Sequence, residues 1–344
     1  MTAYERAIER ARRALLAVEE RAALAITAAY QPVIDGLAEN LAALTDLIAR
    51  AGRVTPAWLD RQDRYRQLLE QLETDLAVFA GAAAARTAGA QAEAVPLADE
   101  HAHALAIAAL GPGPPGGDLE VHGHFEPQAP TLATELAGSA TDGTPLGLLL
   151  LDVALEGARA TRDTLRYAIS TRLDPDALTE AVQQEAHEPL TRALTLHRTE
   201  TLGAYRRATD VAYQQSTIIR QWRWHAAIGE RTCVVCLAMH GTLHPVTEPL
   251  SSHPACRCTQ LPVVPSWEDL GFAGVPDHRP VLQTGEEAFA RLTRHEKLVV
   301  VGPAKLVLLE SGEVTLMDMV RKTHSRRWGP GLREATVTEL RAAA

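Results

Sequence analysis

Cys233, Cys236, Cys256 and Cys258 are the four cysteines of this 344-residue chain, and all lie in one short stretch. The first two form a Cys-x-x-Cys pair; after nineteen intervening residues comes Cys256-Arg257-Cys258, with His253 three positions before Cys256. A Cys-x-x-Cys turn places two thiolates on one tetrahedral ion at about 2.3 Å, and a second pair from a distant loop completes the four-ligand set of structural zinc. Cys233, Cys236, His253, Cys256 and Cys258 therefore compete for four places, with His240 a sixth and weaker candidate. Residues two apart on a strand face one way, so Cys256 and Cys258 can act together, while a turn in their loop lets His253 replace either. The spacing leaves the choice of four open.

Other chemistry fits the same residues less well. A redox Cys-x-x-Cys needs a thioredoxin-like βαβ setting and one lowered thiol pKa, and no such pattern surrounds this pair. Catalytic zinc keeps one position open for water and needs a general base, whereas this segment has a surplus of soft ligands and only Glu230 and Glu248 as nearby acids. A disulfide scaffold spreads its cysteines through a small secreted domain. The expected cofactor is thus structural zinc, with no catalytic residues. Arg257, between two thiols, is placed to offset their charge or to bond a neighbouring carbonyl.

Holding such loops requires a small sheet. The alternation through Ile219, Arg220, Gln221, Trp222, Arg223 and Trp224 predicts a half-exposed strand, and Gly241–His244 and Thr259–Val264 predict two more. The rest of the chain reads as helix. Residues 3 to about 49 have helical spacing interrupted by Pro32, which predicts two pieces with a kink or break. Thr55 and Pro56 are a cap and a first-turn proline, followed by Trp58, Tyr65, Leu69, Leu72, Leu76 and Phe79 on one face. Gly111–Pro145 is rich in breakers and reads as an arm or linker, in which His122 and His124 are solvated rather than ligating. Helix resumes at Leu148, with Leu151, Leu155, Ala158, Leu165 and Ile169 on a shared face. Asp174-Pro175-Asp176 starts another helix, and Pro189 opens a long one whose stripe runs through Leu190, Leu194, His197, Thr201, Ala204, Ala208, Val211 and Ile218.

The expected fold is mainly α with a small antiparallel β zinc-binding subdomain (α+β) and a helical N-terminal bundle. Four regions follow: 1–110 helical, 111–145 arm or linker, 146–265 a core of long helices, small sheet and zinc knuckle, and 266–344 a small helical tail. A formal net charge of -9 argues against a surface designed to coat nucleic acid, so any DNA contact is local. The first thirteen residues have no apolar signal core, and no long uncharged apolar window appears, so neither secretion nor membrane insertion is indicated.

Several stretches resemble the bacteriophage minor head proteins, the Mu F-like head morphogenesis family. Leu196-His197-Arg198-Thr199-Glu200-Thr201 is similar to that family's Arg-Thr-Glu signature in a long helix. Trp224 through Gly241 resembles its tryptophan strand leading into the first cysteine pair, and His253-Pro254-Ala255-Cys256-Arg257-Cys258 its most specific element. The tail from Gly285-Glu286-Glu287-Ala288-Phe289 through Gly302-Pro303 and Gly312 to Trp328-Gly329 looks like the small end of these proteins. The Trp58-Leu59 and Arg64-Tyr65 helix is also similar. The resemblance implies a structural virion component in few copies, located in the capsid interior near the portal vertex, and in the host cytoplasm during assembly. It implies the portal protein and major capsid or scaffold components as partners, a role in head assembly and DNA packaging or ejection, and no turnover. Arg198 and Glu200, two apart on a helix, point to different faces and suit a buried ionic contact better than a catalytic pair.

The competing reading is a zinc-stabilised nucleic-acid-binding protein. Its basis is the tail run Arg321-Lys322-Thr323-His324-Ser325-Arg326-Arg327-Trp328, in which Arg321, Lys322, Arg326 and Arg327 are placed to touch packaged DNA. An enzyme is the weakest reading, since no His-Glu-x-x-His, nucleophile elbow or phosphate-binding glycine loop is present.

Overall fold

The computed structural model describes residues 1–51, 54–113, 130–226, 228–229, 232–326 and 328–343. They group into two compact units: Met1–Leu16, Ala92–Leu136 and Leu202–Ala344 in one, Ala17–Gln91 and Ala137–Thr201 in the other. Three long helices, α1 (Ala3–Ala51), α3 (Asp63–Leu110) and α6 (Pro175–Gln215), each contribute to both. The chain is mainly helical with a small antiparallel sheet, as its patterning requires. Among the described residues no helix is long and apolar enough to cross a membrane.

The described residues of the second unit form helices and the turns between them. Thr55 caps the short α2 (Pro56–Leu59) by accepting from the Trp58 N–H, but the helix expected to run on through Phe79 breaks before α3 begins. Tyr65, Leu72, Leu76 and Phe79 are buried, while Trp58 and Leu69 are only half so. One core gathers Leu37, Leu41, Leu44, Leu59 and Leu68 around Leu165, Ala168 and Val182 of α5 (Leu146–Ser170) and α6. A polar layer lies among the helices: His197 meets Thr87 Oγ1 at 3.3 Å and the Glu19 carbonyl at 2.9 Å. Arg198 pairs with buried Glu19 at 2.6 Å, and the Glu200 carboxylate accepts from the Thr141 N–H and hydroxyl. Arg198 and Glu200 thus make separate structural contacts on different faces.

Two prolines expected to break or open a helix lie inside one. α1 continues through exposed Pro32, because the missing hydrogen bond is outweighed by Tyr30 and Val33, each 1% exposed on either side. Pro189 lies inside α6 instead of opening a helix, with its ring against Gly157 of α5. That contact also decides which face of α5 is buried. Leu150, Val153, Ala154, Gly157, Thr161 and Leu165 turn inward, so Leu151 and Leu155, expected in the buried stripe, are exposed with Leu148.

Within the expected arm, 114–129, and with it His122 and His124, lies outside the described residues. The remainder holds α4 (Pro130–Leu136) and a turn closed by a Ser139–Pro145 bridge.

The first unit carries the sheet. β1 (Gln221–His225) is central, flanked by β2 (Leu243–Pro245) and β3 (Thr259–Val263), all antiparallel, with Trp222 opposite His244 and Pro262. Trp222 and Trp224 are buried in a core that includes Leu105, Leu110, Tyr213 and Val234. The tail is not purely helical. After α8 (Gly285–Arg291), α9 (Arg294–Val301) and α10 (Pro303–Glu310), a hairpin of β4 (Val320–Ser325) and β5 (Gly329–Glu334) precedes α11 (Val337–Ala343).

A Cβ on Gly157 would meet Pro189 Cγ at 2.3 Å, a contact with a rigid ring and no flexible side chain to yield. Gly157→Ala should destabilise the protein by about 1–3 kcal/mol, read as a lowered urea midpoint at unchanged m-value.

Candidate metal centre

The sheet sets the cysteine loops. β1 runs into the first, and α7 (Val234–Met239) begins directly at Cys233, whose sulfur caps it by accepting the Cys236 N–H at 3.4 Å. The second loop enters β3, where the Cys256 sulfur accepts the Cys258 N–H at 3.4 Å. Hydrogen bonds to sulfur favour the thiolate, the form that binds metal. Between them Ala255 holds a left-handed backbone, φ 58°, which turns the His-Pro-Ala-Cys segment back toward α7.

All five expected donors converge. Cys233, Cys236 and His253 form one group and Cys236, Cys256 and Cys258 another, with the ligand atoms of each within 4.8 Å of one another. His253 Nε2 lies 3.2 Å from Cys233 Sγ and 3.1 Å from Cys236 Sγ, and Cys236 Sγ lies 3.6 Å from Cys256 Sγ. Tetrahedral zinc bonds of about 2.3 Å to sulfur and 2.0 Å to nitrogen set ligand-to-ligand edges of roughly 3.5–3.8 Å, so the cluster is near the size of one ion. The imidazole is oriented as a ligand: its Nδ1–H donates to the Pro254 carbonyl at 2.8 Å, so Nε2 is the ring atom that faces the sulfurs.

Protons in the cluster are displaced from their ordinary sites. Hydrogen bonding from Cys236, reinforced by His253, draws the Cys233 thiol down to about 4 against its burial. The Cys233 and Cys256 sulfurs push His253 up to about 10. A cation that takes these ligands displaces the proton that His253 holds.

Arg206 of α6 bonds this loop. Its Nε donates to the Cys258 carbonyl at 3.0 Å, and one terminal nitrogen reaches the Cys256 and Cys258 carbonyls at 2.7 and 2.9 Å. The sequence points to Arg257 for such a bond and gives no sign of Arg206, whose helical position says nothing of the loop it will meet. Gln260 donates to Asp210, one turn further along α6, where burial raises the carboxyl to about 6.

His240 is used elsewhere, accepting the Ala226 N–H at 3.0 Å, and joins neither donor group. Glu248 faces His244 at 3.3 Å, its carbonyl accepting from Trp222 Nε1, while Glu230 lies outside the described residues. A cavity of about 320 Å³ opens beside the centre, lined by Cys233, His253, Pro254, Trp328 and Leu332.

Residues 161–261 match the family described as Phage Mu protein F like protein. This stretch, under a third of the chain, is similar to that family. No curated protein and no solved structure matches the chain. The Mu F-like match takes in α6, the three-stranded sheet and every residue of the donor cluster, and stops at Leu261 within β3.

Replacing Arg206 by Met strips two buried carbonyls of their charged donor. The expected cost is about 3 kcal/mol in urea unfolding, with Arg206→Lys recovering only part because an ammonium cannot reproduce the fork.

Proposed function

We propose that this chain is a structural phage head morphogenesis protein, a minor component of the capsid interior near the portal vertex, acting in head assembly and in DNA packaging or ejection. The observation that carries this reading is the Mu F-like match over 161–261, which coincides with the elements that build the donor cluster. The portal protein and major capsid or scaffold components are its proposed partners, and the host cytoplasm its site before assembly.

The cluster's proposed role is a single structural zinc, with Cys233, Cys236, His253 and Cys256 as its ligands. Three sulfur or nitrogen contacts of 3.1 to 3.6 Å already link these four, and Cys236 belongs to both donor groups. Cys258 is the proposed dispensable donor, since it shares a group with Cys236 and Cys256 but not with Cys233 and His253. The ion would replace a hydrophobic core for two loops too short to build one. A closed, protein-only ligand set suits holding these loops and not turnover, which supports a non-enzymatic role.

Two measurements test these readings. Quantitative mass spectrometry of purified particles and procapsids should find the protein reproducibly and well below the portal subunit's abundance; absence from both would sink the head assignment. Metal analysis should give one zinc per chain, lost in Cys233→Ser, Cys236→Ser, His253→Ala and Cys256→Ser but kept in Cys258→Ser. Zinc retained in all five variants would exclude the site.

A further inference from the structure

The basic run of the tail becomes ordered in a way its sequence does not show. β4 places Lys322 and His324 at alternate positions, both exposed, and Arg326 continues the same alternation just beyond the strand, also exposed. Thr323 and Ser325 turn the other way and line the cavity beside Cys233 and His253. At about 3.3 Å rise per residue, Lys322 and His324 stand roughly 7 Å apart on one face of the hairpin, and exposed Arg326 follows in the turn at its end.

Neighbouring cations are engaged. Arg333 pairs with Glu339, Lys305 with Glu334, Arg294 with Glu310 and Arg279 with Asp277. Arg321 points its guanidinium at the Asp318 and Val320 carbonyls, and Lys297 lies over the Phe289 ring. The acids nearest the hairpin, Glu334, Glu339 and Asp318, are satisfied in turn, the last by the Thr315 N–H and hydroxyl. Among the described residues no carboxylate pairs with Lys322, His324 or Arg326, in a chain whose formal charge is -9. In an acidic protein, a row of unpaired donors on a stiff ribbon is a local anion surface, and its linear form suits a repeating anion better than a single one.

We propose that the exposed face of β4 is a contact for the phosphodiester backbone of duplex DNA, made by Lys322, His324 and Arg326. Lys322 and Arg326 supply permanent charge, and His324 supplies an imidazole N–H donor in either protonation state. The contact is to the phosphodiester backbone, and its role is positioning. Arg321, prominent in the sequence, is excluded by its backbone bonds, and Arg327 lies outside the described residues. This inference rests on the head-protein reading for its biological setting, since packaged duplex is the polyanion such a protein meets.

The test is fluorescence anisotropy of the full-length, zinc-loaded protein with a short labelled duplex across a salt series. Each duplex phosphate neutralised contributes about -0.9 to the slope of log K against log salt, so Lys322→Ala with Arg326→Ala should reduce the slope by about 1.8 and weaken binding on every sequence alike. Removing Arg61 and Arg64, exposed in the other unit, should leave slope and affinity unchanged. Equal zinc content in all variants shows that the hairpin change has not disturbed the centre. An unchanged slope in the double variant, or no salt-sensitive binding by the wild type, overturns the proposal. So does displacement of the duplex by poly-glutamate at equal charge concentration, which would assign the face to an acidic protein surface. Because binding is read on the isolated protein, its failure leaves the head assignment standing, and absence from particles leaves the binding result standing.

Discussion

The guanidinium of Arg206 holds the middle of the cysteine unit in register. It reaches from α6 to the carbonyls of Cys256 and Cys258, and so fixes where the second loop meets the long helix before any ligand geometry is considered. From that anchor the rest follows in sequence. β3 leaves the loop at Thr259 and pairs with β1, β1 leads through the first loop to Cys233, and α7 begins on that cysteine's own sulfur. A charge-assisted bond to buried carbonyls is directional in a way apolar packing is not, and its cost when broken is concentrated on two groups that have no water to turn to.

The helical unit has a comparable constraint of its own. His197, buried and kept neutral by that burial, lies between Thr87 and the Glu19 carbonyl, while Glu19 accepts from Arg198. A slip of α6 by one turn would leave several of these groups unpaired at once, so the polar layer selects a register that the surrounding leucines and alanines, which interchange easily, would not.

Much of this was legible in the residues because the signals were local. Alternation about Trp222 and Trp224 marks β1, and the spacing of Cys233, Cys236, His253, Cys256 and Cys258 marks five candidate donors, since each reflects a period or a ligand count that the chain carries wherever it folds. What was not legible depended on partners distant in sequence. The run from Leu146 to Leu155 has enough leucines to offer two apolar faces, and the choice fell to the one bearing Ala154 and Gly157, where Pro189 can approach. Pro32 and Pro189 read as breaks by local propensity, yet flanking burial carries the helix through both. Arg206 had no signal at all, because nothing in a helix announces which loop will lie across it.

One close approach couples the tail to the donor loop. Gly331 of β5 lies so near the Ser252 carbonyl that a Cβ there would stand 2.6 Å from the oxygen. The hairpin therefore seats on the path the chain takes just before His253, with Leu332 on its buried side. The ribbon is shape-matched to the loop beneath it: any residue larger than glycine at 331 would push against the backbone that leads into His253, so the tail and the second cysteine loop behave as one mechanical piece.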